Sequence, residues 1–273
     1  MIYLADKPIE FKYYPGIKSI ISSHVANEAQ GFVPSYVKEN TGFDQLLHNF
    51  IPGDAPTQVS QRACVTARYC PNDKCNQLLG SRYMIQDSMF VCNVRFIFDA
   101  TQNQSPKTPI WLMDYAFYGD RARHATDLVP TFWNYNVNIT AFEDMMCGHL
   151  QLGEDACKEL IKLGYFDNLR LMRLRYQKYL VAAAIYGDPE KSGNTRPWPP
   201  PVPGPSLSKV LKVQGVPEDF FVLETDQLTT APTCGFWNCI AQALANNQPP
   251  TNCVCKPSTS QLLVQEKNLD LRR

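Results

Sequence analysis

The sequence has no excess charge of either sign, no long apolar run and few histidines. Lys and Arg total 26, Asp and Glu total 26, and the formal net charge is zero. Without a basic excess nothing advertises a nucleic-acid partner, and without a charge block nothing advertises a membrane surface. No apolar stretch approaches the roughly 20 residues of a membrane-spanning helix, so no transmembrane segment is expected. Glycine is scarce beside proline, 14 against 21, which assigns much of the chain to irregular connections. The start, Met1-Ile2-Tyr3-Leu4-Ala5-Asp6-Lys7, has no basic opening, apolar middle or small-residue cleavage site, so it is not a signal peptide.

What is present is a globular balance. The 273 residues are 44% hydrophobic and 19% charged. That suffices for one large domain or two small ones and excludes wholesale disorder. Ten cysteines are many for a reducing compartment, and an even count fits disulfides outside the cell. Sequons at Asn103 and Asn138 agree with export and mark both as glycosylation candidates. An export-type composition without an export signal predicts that upstream sequence is missing. The pairs Cys70–Cys75 and Cys234–Cys239, with Cys253 and Cys255, have spacings a zinc site can use. No CxxC pair or partner histidine supports one, so no metal is expected.

Periodicity places the elements. Residues 17–23 read as a short buried strand after Pro15-Gly16, and residues 37–50 as a helix. Residues 51–56 read as a loop. The apolar run 84–98, within 81–100, is too long for one strand and reads as a helix. Residues 109–117 read as a second strand, rich in aromatics. Residues 167–185 form a helix with Leu169, Met172, Tyr176 and Leu180 on one stripe, an N-cap at Asp167 and a stop at Gly187-Asp188-Pro189. Residues 198–205 are a proline-dense connector, and the stretch after Asn252 reads as a loose tail. No internal repeat is visible.

Two titratable residues stand out by address. Glu28 follows the first strand and His124 follows the second. Loops at the carboxyl ends of strands are where open α/β sheets place reactive groups. A carboxylate on one imidazole nitrogen fixes the tautomer, and the other nitrogen then takes a proton from a nucleophile. The order acid then histidine matches the last two members of an α/β-hydrolase triad.

Around these positions the chain resembles the type-B carboxylesterase/lipase family, that of cholinesterases and fungal esterases. Asn27-Glu28-Ala29-Gln30-Gly31-Phe32 resembles the family's Asp-Glu-Gly segment with its following Phe. Asp87 to Cys92 resembles its helix entry with a cysteine. Pro109-Ile110-Trp111-Leu112-Met113-Asp114-Tyr115 resembles the strand before the histidine. His124-Ala125-Thr126-Asp127-Leu128 with Phe132 resembles its His-Gly-x-Asp-Leu segment. Gly187-Asp188-Pro189, Trp198-Pro199 and Cys234-Gly235-Phe236-Trp237 resemble its later landmarks, all in the family's order. The resemblance implies an α/β fold: the C-terminal half of an α/β-hydrolase, with an incomplete sheet, helices and long loops. Residues 1–240 carry the match and 241–273 a loose tail. It implies Glu28 as triad acid, His124 as triad base, a disulfide between Cys92 and Cys234, a secreted ester hydrolase acting on small-molecule or lipid esters, and no cofactor. Tyr115, Phe117, Phe132 and Trp133 flank His124 and are candidates for a substrate pocket, with plain core the expected role for Phe117.

The departures from the family are as telling. No Gly-x-Ser-x-Gly nucleophile motif occurs, and the glycine-rich oxyanion segment is absent. The glycines after the acid and the histidine are replaced by Ala29 and Ala125. The strand before Glu28 would keep an open edge that invites a protein partner. The expectation is therefore a truncated product, a gene-model fragment or one piece of a split enzyme, inactive by itself. The alternative is a non-catalytic, esterase-like interaction module.

Overall fold

The computed structural model describes residues 17–72, 75–132, 143–144, 146–148, 153–215 and 219–256. Its centre is a four-stranded sheet in the order β1 (Ile20–Val25), β2 (Ile110–Tyr115), β3 (Val210–Val213), β4 (Phe221–Glu224). The first three strands are parallel and β4 is antiparallel to β3. The sheet is thus open and mixed, with β1 at one end among the described residues. Every residue of β2 is buried, as a central strand covered on both faces requires. Strand alternation splits its side chains. Trp111, Met113 and Tyr115 join a cluster with Leu169, Met172, Tyr176 and Tyr179. Ile110 and Leu112 join Val94, Phe98 and Val210 on the other face.

The helix expected over 167–185 is α7 (Tyr165–Tyr186) in a set comprising α1 (Phe43–Phe50), α2 (Pro56–Tyr69), α3 (Gln77–Ile85), α4 (Cys92–Gln104), α5 (Leu128–Phe132), α6 (Glu154–Lys162) and α8 (Ala231–Ala245). Gly187 closes α7 in the left-handed region at φ 69°, its N–H bonded to the Ala183 carbonyl, a conformation without steric penalty only for glycine. The helix expected over 37–50 begins only at Phe43. Gly42 at φ 96° breaks the backbone, and Lys38 pairs with Thr41 in a tight turn instead. The apolar run 84–98 is helical throughout, but Gln86–Val91 widens into a π-turn between α3 and α4. Such turns shift the side-chain phase and recur at functional sites. The proline connector is anchored by the buried Trp198, whose indole N–H donates to the Leu112 carbonyl at 3.1 Å.

A third cluster joins α1, α2, α3 and α8. Four of the five disulfides knit it: Cys64–Cys255, Cys70–Cys75, Cys92–Cys234 and Cys239–Cys253. The fifth, Cys147–Cys157, lies beside the first cluster. All ten cysteines are paired, including those whose spacing resembled zinc ligands. Residues 253–255, expected at the start of a loose tail, are tied down twice, by Cys253 and Cys255. No helix among the described residues is long and apolar enough to cross a membrane.

One polar row crosses the otherwise apolar α4 face of the sheet. His24 on β1 is in register with Asp114 on β2, and Asp114 with Lys212 on β3. His24 Nε2 lies 2.8 Å from Asp226 Oδ2, and Nδ1 lies 3.5 Å from Asp114 Oδ1. Burial alone would lower the His24 pKa from 6.5, but Asp226 and then Asp114 outweigh it and push it up to about 9. Burial would raise Asp226, yet His24 holds it at about 2. Burial pushes Asp114 up to about 6, against the pull of His24, so Asp226 is the partner that keeps the imidazole charged.

The sign for stability follows. His24 binds its proton more tightly folded than unfolded, so its contribution is complete below pH 6.5 and lost as pH rises through about 9. Asp226 contributes fully above pH 3.8 and loses this as pH falls through about 2. Asp114, raised rather than lowered, gives up stability as pH rises from 3.8 through about 6. Urea unfolding across pH 6.5 to 9.5 is expected to lose on the order of 3 kcal/mol, and His24→Phe to flatten that slope. An unchanged slope in the variant contradicts the assignment.

Candidate active site

Parallel pairing carries β1 and β2 a little beyond their ends. The Ala26 N–H donates to the Tyr115 carbonyl at 3.0 Å and the Asn27 N–H to the Ala122 carbonyl at 2.9 Å. Asn27 and Arg123 form a last parallel bridge. The next residue on each side is Glu28 and His124. Residues 96 apart in sequence therefore meet, with His124 Nδ1 at 2.6 Å from Glu28 Oε2.

The Glu28 carboxylate opens a short 3-10 turn (Glu28–Gly31) and is buried. Its second oxygen, Oε1, accepts from the Val25 N–H at 3.0 Å. Alternate residues of a parallel strand face the neighbour. Ile20 and Ala26 donate toward β2, so Val25 points its N–H to the outer edge, where Glu28 caps it. Burial pushes the Glu28 pKa up, and the bonds from His124 and Val25 pull it back toward the ionised form. The His124 side chain is 48% exposed. With Nδ1–H donating to the carboxylate, Nε2 is the basic nitrogen on the opposite edge of the ring.

Two aromatic rings grip the imidazole. Phe32 meets it edge-on at 4.9 Å and Phe90 at 5.2 Å, and the two phenyl rings lie 5.1 Å apart. Phe32 stands four residues after Glu28 and is 42% exposed. Phe90 comes from the π-turn, which Gln86 ties to the Ala26 carbonyl at 3.1 Å. Behind the histidine, Ser23 donates to Asp127 at 3.4 Å, and burial pushes the Asp127 pKa up. The flanking aromatics divide. Tyr115 and Phe117 are fully buried core residues, Phe132 is 76% exposed, and Trp133 lies outside the described residues.

The other histidines have other company. His24 belongs to the buried row, His48 makes an exposed contact with Asp54 at 3.3 Å, and His149 lies outside the described residues. Cys92 and Cys234 are bonded to each other. Asn103 is exposed near the end of α4, and Asn138 lies outside the described residues. Among the described residues no cluster of His, Cys, Asp and Glu is arranged to hold a metal ion.

Ala125 sits at φ 66°, left-handed backbone that disfavours a Cβ by roughly 1–2 kcal/mol. Ala125→Gly is expected to raise the unfolding free energy by about 0.5–1 kcal/mol, after the larger entropy of an unfolded glycine is subtracted. Urea melts of the two proteins check this, and a loss of stability contradicts it.

No protein-family model matches the chain. Over 237 residues it is 24% identical to a secreted lipase of Arthroderma benhamiae, covering 82% of this chain and 38% of the relative. Its fold matches the crystal structure of Aspergillus niger EstA with a TM-score of 0.57 at 12% identity, covering 83% of this chain and 40% of that one. The chain therefore spans about two fifths of the length of both. The chain is thus similar in sequence to a secreted lipase, and its open, mixed sheet with flanking helices shares the α/β-hydrolase-like fold of EstA.

Proposed function

We propose that the chain supplies the acid and the base of a secreted serine ester hydrolase, with Glu28 as acid and His124 as base. The observation that carries this is the 2.6 Å contact between them at the carboxyl ends of adjacent parallel strands. Glu28 fixes the tautomer and stabilises the imidazolium. His124 Nε2 takes the proton from a serine hydroxyl as its oxygen attacks the ester carbonyl. The same proton then goes to the departing alcohol, leaving an acyl-serine. Water repeats the cycle and releases the acid.

The serine and the oxyanion donors are absent from these 273 residues. The proposal places them in sequence outside this span, in a protein of which the chain is the C-terminal part. Alone, the chain is expected to show negligible triad-type ester hydrolysis, because even one lost oxyanion donor costs about 100–1000-fold. Exposure of the isolated chain to a fluorophosphonate tests this. Absence of labelling is the expected result, and rapid labelling of a single serine overturns it.

Five disulfides and the exposed sequon at Asn103 support an extracellular site of action, as does the secreted relative. Phe32 and Phe90 form an apolar wall beside the histidine, which suits an ester with a hydrophobic acyl or alcohol group. The outer edge of β1, which no strand covers among the described residues, favours a second reading, a non-catalytic module whose partner pairs with that edge. Co-purification of such a partner with a species no larger than this chain would favour it over catalysis.

A further inference from the structure

The Glu28–His124 pair rests on a strand end that the polar row holds. His24 is four residues before Glu28, and the peptide joining His24 to Val25 carries the N–H that Glu28 Oε1 accepts. His24, Asp114 and Asp226 are all more than nine-tenths buried. Asp226 gathers three further bonds, from the Leu228 N–H at 2.8 Å, the Thr229 N–H at 3.4 Å and the Thr229 hydroxyl at 2.7 Å. Lys212 lies 4.0 Å from Asp114 and 3.1 Å from Glu224.

A buried ion pair is a poor device for stability alone, since well-packed apolar side chains of similar size often do as well. What it adds is orientation. The hydrogen bond from Nε2 to Asp226, with the Asp114 carboxylate facing Nδ1 at a longer 3.5 Å, leaves the His24 side chain one position, and the ring's Cβ fixes the adjoining peptide. The other side chains that β2 and β3 bury on this face, Ile110, Leu112 and Val210, are apolar and give no directional hold.

We propose that His24 is a positioning residue for the Glu28–His124 pair: clamped by Asp226 and Asp114, it aims the Val25 N–H at Glu28 Oε1 and so keeps Oε2 on His124 Nδ1. The loop before α8, through Asp226, thereby sets the geometry of a pair at the far end of β1. This rests on Glu28 and His124 acting as acid and base. If the clamp is lost, Glu28 loses one of the two bonds that favour its ionised form and is free to turn away from the imidazole. In the complete hydrolase a displacement of this kind is expected to lower kcat by up to about 100-fold.

The test needs no substrate. The Nδ1–H resonance of His124 is followed by NMR in the 273-residue chain, with Glu28→Gln as the reference for a broken pair. His24→Phe and Asp226→Asn are expected to move that resonance at least halfway to its Glu28→Gln position and to weaken it. Asp54→Asn, which touches only the exposed contacts with His48 and Arg62, is expected to leave it unchanged. If His24→Phe fails to fold, Asp226→Asn decides, because it keeps the side-chain size and an Oδ1 acceptor for the Leu228 and Thr229 N–H groups. A folded variant with lower Tm but an unmoved His124 Nδ1–H resonance overturns the positioning role and leaves the pair standing. A His124 signal indifferent to Glu28→Gln overturns the pair itself, and the positioning role with it.

Discussion

Replacing Cys92 and Cys234 together by alanine is expected to lower the unfolding free energy by about 4 kcal/mol. The bond joins the start of α4 to α8 across 142 residues, and both cysteines are buried. The loop that matters is shorter than that. With Cys64–Cys255 and Cys239–Cys253 intact, the covalent circuit closed by the bond runs through about 35 residues, from Cys64 to Cys92, Cys234 to Cys239 and Cys253 to Cys255. Loop entropy then gives about 4 kcal/mol rather than the roughly 5 kcal/mol of an isolated loop. In a chain of this size that is a fall in Tm of roughly 10 °C. Because the π-turn bearing Phe90 ends at Cys92, the aromatic grip on His124 is expected to loosen in the same variant. A change in unfolding free energy below about 1 kcal/mol would contradict the reading that this bond fastens α8 to the core.

In the complete hydrolase, Glu28→Gln is expected to lower kcat by about 10,000-fold with little change in KM, as loss of the acid does in other serine hydrolases. Glutamine keeps the shape of the side chain. Its amide offers no negative charge for the imidazolium, and it lets the ring adopt the tautomer with its proton on Nε2. His124→Ala is expected to cost at least as much, and the double variant little more, because the two act as a unit. Steady-state kinetics on a chromogenic ester measure all three. A loss under tenfold for Glu28→Gln would contradict the assignment of Glu28 as the acid.

The two parallel strands β1 and β2 were legible for one physical reason. A buried parallel strand is apolar along most of its length, and β2 is, with Asp114 the single polar residue between Ile110 and Tyr115. Its carboxyl end was therefore locatable, and Glu28 and His124 were singled out in the loops beyond the two strands, with their roles implied by the family resemblance. The 2.6 Å contact followed from two strand ends lying side by side. The long amphipathic α7 was equally plain, since its stripe has the helical period. Other features left no local signal. Strands β3 and β4 are four residues each, too short for alternation to register. Helix α2 has a run of polar residues through Gln58, Ser60 and Gln61 and buries Gln61 and Arg68, so no apolar stripe marked it. The π-turn is a phase shift inside a continuous helical run, so Phe90 could not be assigned to the His124 side. Asp226 lies 202 residues from His24, and only the folded sheet brings them together. The disulfide partners other than Cys92 and Cys234 were equally closed to inspection, because connectivity is set by tertiary distance.

The most direct test of the central claim is fluorophosphonate labelling of the natural protein, isolated from its source with an antibody to residues 190–230, and mapping of the labelled serine by mass spectrometry. The account predicts a species heavier than this chain, labelled on one serine outside these 273 residues, with labelling abolished by His124→Ala in the recombinant form. A serine labelled within this chain, or labelling indifferent to His124→Ala, would contradict it.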